Sequence, residues 1–325
     1  QQPDFTVGLS MSQEVIDTIA TSVPILLLIG AGVIVRKVRL LSETGLEEIK
    51  RLIVSAALPA AFFVTFLTVE FDTTYLGLFL FVPAILFVLL LFGYLADRLP
   101  MSRRPAPFLM TGFEFGMLGI GLFTTAYGMS NFWSISVVAL PHELFIWFVL
   151  VTLMRARYGG PTDFKSTLFS FARSPIIIAI LSGLALNIVG LTEWFTTALV
   201  PRSFVRALEM LSNIIGPLIL IVVGYGTRIS LKGLREAAPL MLIRSALIVL
   251  IAGWIAPFVS QELLELPGIF SHAIFTFLVL PPPYIVPLYI PSREEEDLAY
   301  SNNVLSSYTV LSIVAFLVYY TLNPV

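Results

Sequence analysis

Residues 280–290, "LPPPYIVPLYI", decide the fold, because four prolines interrupt a long apolar stretch of the chain. Proline removes a backbone hydrogen-bond donor and clashes with the preceding helical turn. Backbone groups left without partners cannot face lipid. We therefore expect this segment to lie against protein or a water-filled cavity, inside a protein that otherwise spans a membrane with helices.

The composition supports a membrane location. Of 325 residues, 57% are hydrophobic and only 12% are charged, and the mean hydropathy is +0.92. Soluble domains are about 45–50% apolar and about 25% charged. The chain is thus predicted to be a multi-pass protein of the cell membrane. A net charge of −2 gives no indication of nucleic acid, and the absence of cysteine excludes disulfides and thiolate ligands.

Ten apolar stretches approach the roughly 20 residues that a helix needs to cross a bilayer. The predicted fold class is therefore all-α, with ten transmembrane helices at about 15–35, 52–69, 73–96, 105–128, 132–154, 174–195, 208–227, 237–260, 268–290 and 303–322. Residues 1–10 precede the first methionine and are interpreted as a remnant of an expression vector.

The distribution of positive charge predicts an orientation. Basic residues collect in cytoplasmic connections. With ten spans, all but two of the 19 Lys and Arg residues fall on one side of the membrane, and the exceptions are Arg202 and Arg206. Both termini are then extracytoplasmic. The longest cytoplasmic connection is near 155–173.

An internal repeat is visible in the order of prolines and glycines. "SVPILLLIGAG" (22–32) and "RSPIIIAILSG" (173–183) share Pro-x7-Gly, and "ALPAAFF" (57–63) and "IGPLILI" (215–221) each follow as a proline-containing span. Because each unit has five spans, the second enters the membrane in the opposite sense. The predicted units are 11–158 and 174–325, joined by a cytoplasmic linker at 159–173.

Spans four and nine are the interrupted ones in this repeat. Span four, "TGFEFGMLGIGLFTTAYG" (111–128), is rich in glycine, and span nine carries the prolines. Broken helices at matching places in inverted repeats point to a solute site near the membrane midplane. We expect the two to cross around Gly116–Gly121 and Pro282–Pro287. A simple packing kink is the alternative.

These segments resemble the auxin efflux carrier family. The likeness rests on residues 22–63, on "GFEFGMLGIGLFTTAYG" (112–128), and on "LPPPYIVPLYI" followed by "NNVLSSYTVLSIVAFLVYY" (302–320). It implies the fold of the sodium/bile-acid symporters, with a scaffold domain, a transport domain containing two crossing broken helices, and elevator-type movement of small organic anions.

The sequence departs from that family at the predicted crossing. Glu114 stands where the family has Asn, Gly121 where it has Pro, and Pro282-Pro283-Tyr284 where plant carriers have Pro-Gln-Gly. Two amides that would hold a carboxylate are therefore absent. An auxin-like substrate does not follow from the resemblance.

Polar residues inside the predicted spans are candidate site residues. A carboxylate in a membrane helix is a functional hypothesis by default, so Glu114 is expected to bind a cation, carry a proton or contact solute. A structural tie across the break is the alternative. Glu143 shares a helix face with Trp147, whereas His142 is equally well explained as a contact between helices. The predicted substrate or ion site comprises Glu114, Gly116, Gly119, Gly121, Glu143, Asn213, Pro282, Pro283 and Tyr284.

The predicted function is secondary active transport of a small organic solute, with a carboxylate as the expected class and a proton or sodium ion as the coupling ion. No Walker A motif or enzyme motif is present, so no enzymatic activity, cofactor or metal site is predicted. A sodium-coupled carrier like the bile-acid symporters and a solute sensor that does not transport stay open. The lipid bilayer is the other expected partner, and a homodimer stays open.

Overall fold

The computed structural model describes residues 13–70, 72–98, 103–159, 164–227 and 231–323, with side chains for all of them except 13–22, 164, 166, 167 and 170. The described residues form helices and their connections, without a β-strand. The all-α class is therefore confirmed. The vector remnant predicted at 1–10 lies outside this part of the chain.

Sixteen α-helices are joined by short turns of other helical types. In chain order, α1–α16 are Gln13–Lys37, Glu43–Leu52, Leu58–Thr68, Leu78–Ala96, Ala106–Met110, Ile120–Tyr127, Phe132–Phe145, Val151–Tyr158, Phe164–Ala172, Pro175–Ile188, Thr192–Thr197, Leu199–Ser212, Ile215–Gly226, Leu231–Leu250, Ile269–Val279 and Glu295–Leu322. Wider π-helical turns occupy Ile53–Ala57, Phe115–Gly119, Ile146–Leu150, Ile251–Ile255 and Phe258–Leu263, and tighter 3-10 turns occupy Thr73–Gly77, Met129–Asn131 and Val286–Tyr289.

Seven helical stretches among the described residues are long and apolar enough to cross a membrane. They are Glu43–Thr68, Thr73–Ala96, Ala106–Tyr127, Met129–Tyr158, Leu199–Gly226, Leu231–Leu263 and Glu295–Leu322. The chain therefore has the helices of a membrane-embedded protein. The other three predicted spans correspond to α1, which is not among the seven, and to two shorter apolar helices, α10 and α15.

Both short helices end for local reasons. After α15 the chain turns extended at Leu280 and enters the prolines. After α10, Gly190 adopts a φ of +78°, a left-handed conformation that commonly follows a helix end. The predicted spans 174–195 and 268–290 are thus shorter as helices than their apolar sequence suggested.

Glycines let two pairs of helices approach until their backbones touch. A methyl group on Gly32 of α1 would lie 2.1 Å from the carbonyl oxygen of Ile221 in α13. A methyl group on Gly183 of α10 would lie 2.6 Å from the carbonyl oxygen of Phe63 in α3. Each pair joins one helix from each half of the chain.

Polar side chains close the ends of the same two pairs. Arg36 Nη1, one turn after Gly32, donates to the carbonyl oxygens of Tyr225 and Thr227, at 2.7 and 2.8 Å. Asn187 Nδ2, one turn after Gly183, donates to Val69 O at 2.9 Å. Thr227 and Val69 are the capping residues that directly follow α13 and α3. These donors bind carbonyls that a helix end leaves without an internal partner.

The helices fall into two packing groups. In the first group, α1 packs on α13, and α3 packs on α10 and α12. In the second group, α4 packs on α5 and α7, α14 on α16, and α15 on α7. Helix α6 contacts both α13 and α7 and so lies between the groups. The predicted linker 159–173 contains a helix of its own, α9.

Candidate functional site

The first helix break precedes the glycine cluster. Helix α5 ends at Met110, Thr111 is extended, and Gly112 has a φ of +81° that disfavours any other residue type. Helical structure resumes at Phe115. The break was predicted at Gly116–Gly121. It lies about one turn earlier in the chain.

The glycines expected to form the break lie in helical structure instead, and two of them are packing positions. Gly116 and Gly119 belong to the helical turn Phe115–Gly119, and Gly121 belongs to α6. A methyl group on Gly121 would lie 2.6 Å from Ile219 Cγ2 of α13, and one on Gly119 would lie 2.6 Å from Leu280 Cδ1. Their small size brings α6 against the first helix group and against the second break.

The second break coincides with the prolines. The chain is not helical between α15 and the turn Val286–Tyr289, and Pro281, Pro282 and Pro283 are buried. A methyl group on Gly112 would lie 2.7 Å from Pro283 Cγ. The two breaks are therefore in direct contact, with the glycine of one seated against a proline of the other.

Glu114 links the two breaks through both its backbone and its side chain. Its backbone N–H donates to Pro281 O at 2.8 Å. Its Oε2 accepts from the backbone N–H of Tyr284 at 2.6 Å, and its Oε1 accepts from the N–H of Met117 at 3.0 Å. The residue is only 8% exposed.

This geometry makes Glu114 the cap of the second half of the broken helix. A backbone N–H can only donate, so both oxygens of the Glu114 side chain act as acceptors. A negative charge at a helix N-terminus also interacts favourably with the helix dipole. The contacts match the structural tie considered from the sequence, and they also place a carboxylate where the two breaks meet.

Tyr284 connects this junction to α16. Its hydroxyl lies 2.8 Å from Thr309 Oγ1, and Thr309 Oγ1 itself donates to Leu305 O at 2.7 Å. Because a threonine hydroxyl has one hydrogen, Tyr284 must donate to Thr309. Tyr284 is thus held at its backbone by Glu114 and at its ring by α16.

Arg244 is a residue of the junction that the sequence analysis missed. It is 1% exposed, and its guanidinium donates to four carbonyl oxygens. Two of these lie at the end of α5, one lies in the first break and one lies directly after α15: Leu109 O, Met110 O, Gly112 O and Leu280 O. The rings of Phe113 and Tyr308 lie 5.0 and 5.2 Å from it. A lone arginine within an apolar span was the available signal.

Two cavities flank the junction, and both lie between the two helix groups. The crossing cavity, of about 500 Å³, is lined on one side by Lys50 of α2 and Val222 of α13, and on the other by Met117, Tyr284 and Thr309. The Glu143 cavity, of about 180 Å³, is lined by Glu143, Trp147, Phe62, Phe115 and Gly116 among others. The turn that follows Glu114 therefore contributes lining residues to both cavities.

The remaining predicted residues occupy different places. Glu143 and Trp147 line one cavity together, as their spacing predicted. His142 is buried and makes a contact between helices, because its Nε2 accepts from the N–H of Phe113 at 2.9 Å. Asn213 is exposed at the end of α12 and lines a third cavity with Glu209 and Trp133. The structure therefore does not bring Asn213 to the junction.

The described part of the chain has no group of three or more His, Cys, Asp or Glu residues placed to hold a metal ion. No known protein family model matches the chain, and no curated protein matches it significantly. The similarity to the auxin efflux carriers therefore rests on the quoted residues alone and stays a hypothesis.

Proposed function

We propose that this protein is a secondary active transporter of a small organic solute that carries a carboxylate. The observation that supports this most is the junction at Glu114, where two interrupted helices from opposite halves of the chain meet beside a cavity of about 500 Å³. Discontinuous helices that meet in this way form the solute sites of many secondary transporters.

The lining of the crossing cavity favours an anion. Lys50 is its one charged lining residue, and Asn302, Ser306, Thr227 and Thr309 supply amide and hydroxyl groups. Its volume falls within the roughly 300–1,000 Å³ typical of small-molecule sites. Lys50 Nζ now pairs with the exposed Glu47 at 2.6 Å. A carboxylate that takes the place of Glu47 at Lys50 and is held by neutral polar groups is the ligand class that these residues suit.

The proposal includes ten membrane-crossing helices in two inverted repeats of five. Support comes from the matched crossings. Gly32 meets Ile221, four residues after Pro217, whereas Gly183 meets Phe63, four residues after Pro59. The capping donors that follow these glycines by one turn are matched as well. A two-fold relation between the halves accounts for all of these equivalences together.

The repeat also accounts for the difference between the two caps. In the orientation predicted from basic residues, Arg36 lies on the cytoplasmic side and Asn187 on the external side. A positive side chain is favoured on the cytoplasmic side, which suits Arg36. On the external side the neutral amide of Asn187 performs the same capping. In this orientation the protein spans the cell membrane with both termini on the external side.

An elevator mechanism is the proposed mode of transport. The first helix group would serve as the scaffold and the second as the moving domain. Both cavities lie between these groups, and small residues line their contact: Gly121 packs on Ile219, and a methyl group on Gly216 would lie 2.8 Å from Thr125 Oγ1. We place the chain near the auxin efflux carriers on this basis, with Glu114 as the candidate coupling residue for a proton or sodium ion.

Binding and exchange test the proposal. Purified protein is screened against small organic acids for an increase in melting temperature, because a ligand of the folded state stabilises it. Each hit is then tested for counterflow and for uptake in proteoliposomes, with proton and sodium gradients set separately. Lys50→Gln should weaken acid binding, whereas Arg51→Gln, an exposed neighbour outside the cavity lining, should not. Binding without any counterflow would support a sensor instead.

A further inference from the structure

The Glu143 cavity differs in charge from the crossing cavity. It lies between α3, α7, α10 and the turn Phe115–Gly119, and Glu143 is the one charged residue among those that line it. The Glu143 side chain is 35% exposed, so the carboxylate can meet a molecule in the cavity. No lysine or arginine is among the lining residues to neutralise it.

The hydrogen bonds of His142 determine which groups around Glu143 are charged. His142 Nε2 lies 2.9 Å from the backbone N–H of Phe113, which can only donate. Nε2 must therefore be the unprotonated nitrogen, and the ring is neutral with its hydrogen on Nδ1. That Nδ1–H lies 3.2 Å from Glu143 Oε1 and donates to it. Glu143 therefore receives one hydrogen bond from a neutral ring, and no cationic side chain is among the residues that line the cavity with it.

Three aromatic rings line the cavity together with this carboxylate. Trp147 lies one turn after Glu143 on the same face, and Phe62 and Phe115 contact each other edge to face across a centroid distance of 6.3 Å. Aromatic faces attract cations, and most strongly when the cation is removed from water. A carboxylate beside three aromatic rings is the combination that recognises an ammonium group.

We propose that the Glu143 cavity binds a small organic cation, a protonated or quaternary amine. Its charge lies against Glu143, and its alkyl groups contact Trp147, Phe62 and Phe115. A volume of about 180 Å³ is below the roughly 300 Å³ of ordinary ligand sites, which limits the ligand to a compact amine. A bare metal ion fits less well, because it would find a single carboxylate and mostly apolar surroundings.

The site also has a route to the helix junction. Gly116, on the cavity wall, belongs to the turn that Glu114 caps, and His142 holds the N–H of Phe113 within the first break. A ligand at Glu143 would therefore lie one hydrogen bond from His142 and two from the backbone of the first break. Amine binding does not depend on carboxylate transport through the crossing cavity, and either can hold without the other.

Binding measurements on the full chain in detergent or nanodiscs test this site. The probes are choline and tetramethylammonium, with 3,3-dimethylbutanol as the uncharged counterpart of choline, and sodium and potassium chloride as inorganic cations. We expect the two ammonium ions to bind and the alcohol and the salts not to. Equal binding of the alcohol, or saturable binding of sodium alone that requires Glu143, would overturn the proposal.

Matched variants locate the site. Glu143→Gln removes the charge, retains an acceptor for His142, and should weaken choline binding at least about tenfold. Glu209→Gln makes the same change in the third cavity and should leave binding unaltered. Trp147→Leu should weaken binding and Trp147→Phe should largely restore it. Each variant must first melt as one folded species without ligand. Unchanged affinity in folded Glu143→Gln contradicts the assignment.

Discussion

The Glu114 carboxylate accepts a 2.6 Å hydrogen bond from the backbone N–H of Tyr284, 170 residues away in the chain. The same carboxylate caps its own helix at Met117. One side chain therefore satisfies a donor in each of the two broken helices, and it does so where neither helix can satisfy its own backbone. Any movement that separates the breaks must first replace the bond between Glu114 and Tyr284.

Glu114→Gln should reduce stability despite its similar shape. An amide presents one oxygen and one NH₂ group, so one of the two backbone N–H groups would face a donor. A buried donor without a partner costs about 1–3 kcal/mol. We expect a lower melting temperature for Glu114→Gln and a larger decrease for Glu114→Ala.

The same variant tests coupling once a transported solute is known. If Glu114 carries the coupled proton, Glu114→Gln should exchange solute but lose uptake driven by a proton gradient. If it binds sodium, stimulation by sodium should disappear instead. Gradient-driven uptake at the normal rate by a well-folded Gln variant would leave Glu114 with a structural role only.

Arg244→Met should destabilise the junction strongly. The substitution leaves four carbonyl oxygens at the breaks without their donor, and each buried polar group left unpaired costs about 1–3 kcal/mol. Arg244→Lys should recover only part of the loss, since a single ammonium nitrogen replaces two guanidinium nitrogens. The measurement is thermal unfolding in detergent. Arg235→Lys, exposed on the same helix, is the control and should be nearly neutral.

Two glycines of α1 provide a matched test of the close crossing with α13. Gly32→Ala places a methyl group 2.1 Å from Ile221 O, whereas Gly30→Ala meets nothing within 4 Å. We expect Gly32→Ala to destabilise the fold or to prevent its assembly. Gly30→Ala should be neutral or stabilise by up to about 1 kcal/mol, because alanine favours helix. Similar melting temperatures for the two variants would argue against the crossing.

Single cysteines can test the proposed orientation, because the native chain has none. Ala172→Cys at the end of α9 and Thr196→Cys in α11 are both at exposed positions. In intact cells, a membrane-impermeant maleimide should label Thr196→Cys, and it should label Ala172→Cys only after permeabilisation. The reverse pattern would place the termini in the cytoplasm.

The sequence predicted the parts of the junction that depend on local chemistry. Pro281, Pro282 and Pro283 cannot continue a helix, and the second break lies at them. Glu114 was identified because a carboxylate in an apolar span needs an explanation. Glu143 and Trp147 share a cavity because residues four apart on a helix share a face.

The position of the first break and the roles of Arg244 and Asn213 depend on long-range packing, which the sequence did not predict. The first break lies at Gly112 because Pro283 and Arg244 approach it there, and neither is a neighbour in sequence. Arg244 itself was assigned to the cytoplasmic charge, since sequence position alone does not show that its guanidinium turns inward to bind carbonyls. Asn213 was expected at the crossing, but the end of α12 leaves it exposed.

The glycine crossings bear on the order in which the helices assemble during synthesis at the ribosome. Gly32 of α1 packs against Ile221 of α13, and Gly183 of α10 packs against Phe63 of α3. Helices α1 and α3 are therefore synthesised long before the helices against which they pack. Until α10 and α13 have been synthesised, the surfaces of α1 and α3 that later contact them have no protein partner. The two halves of the chain are therefore partners in a late assembly step, and halves made as separate polypeptides should still find each other in the membrane.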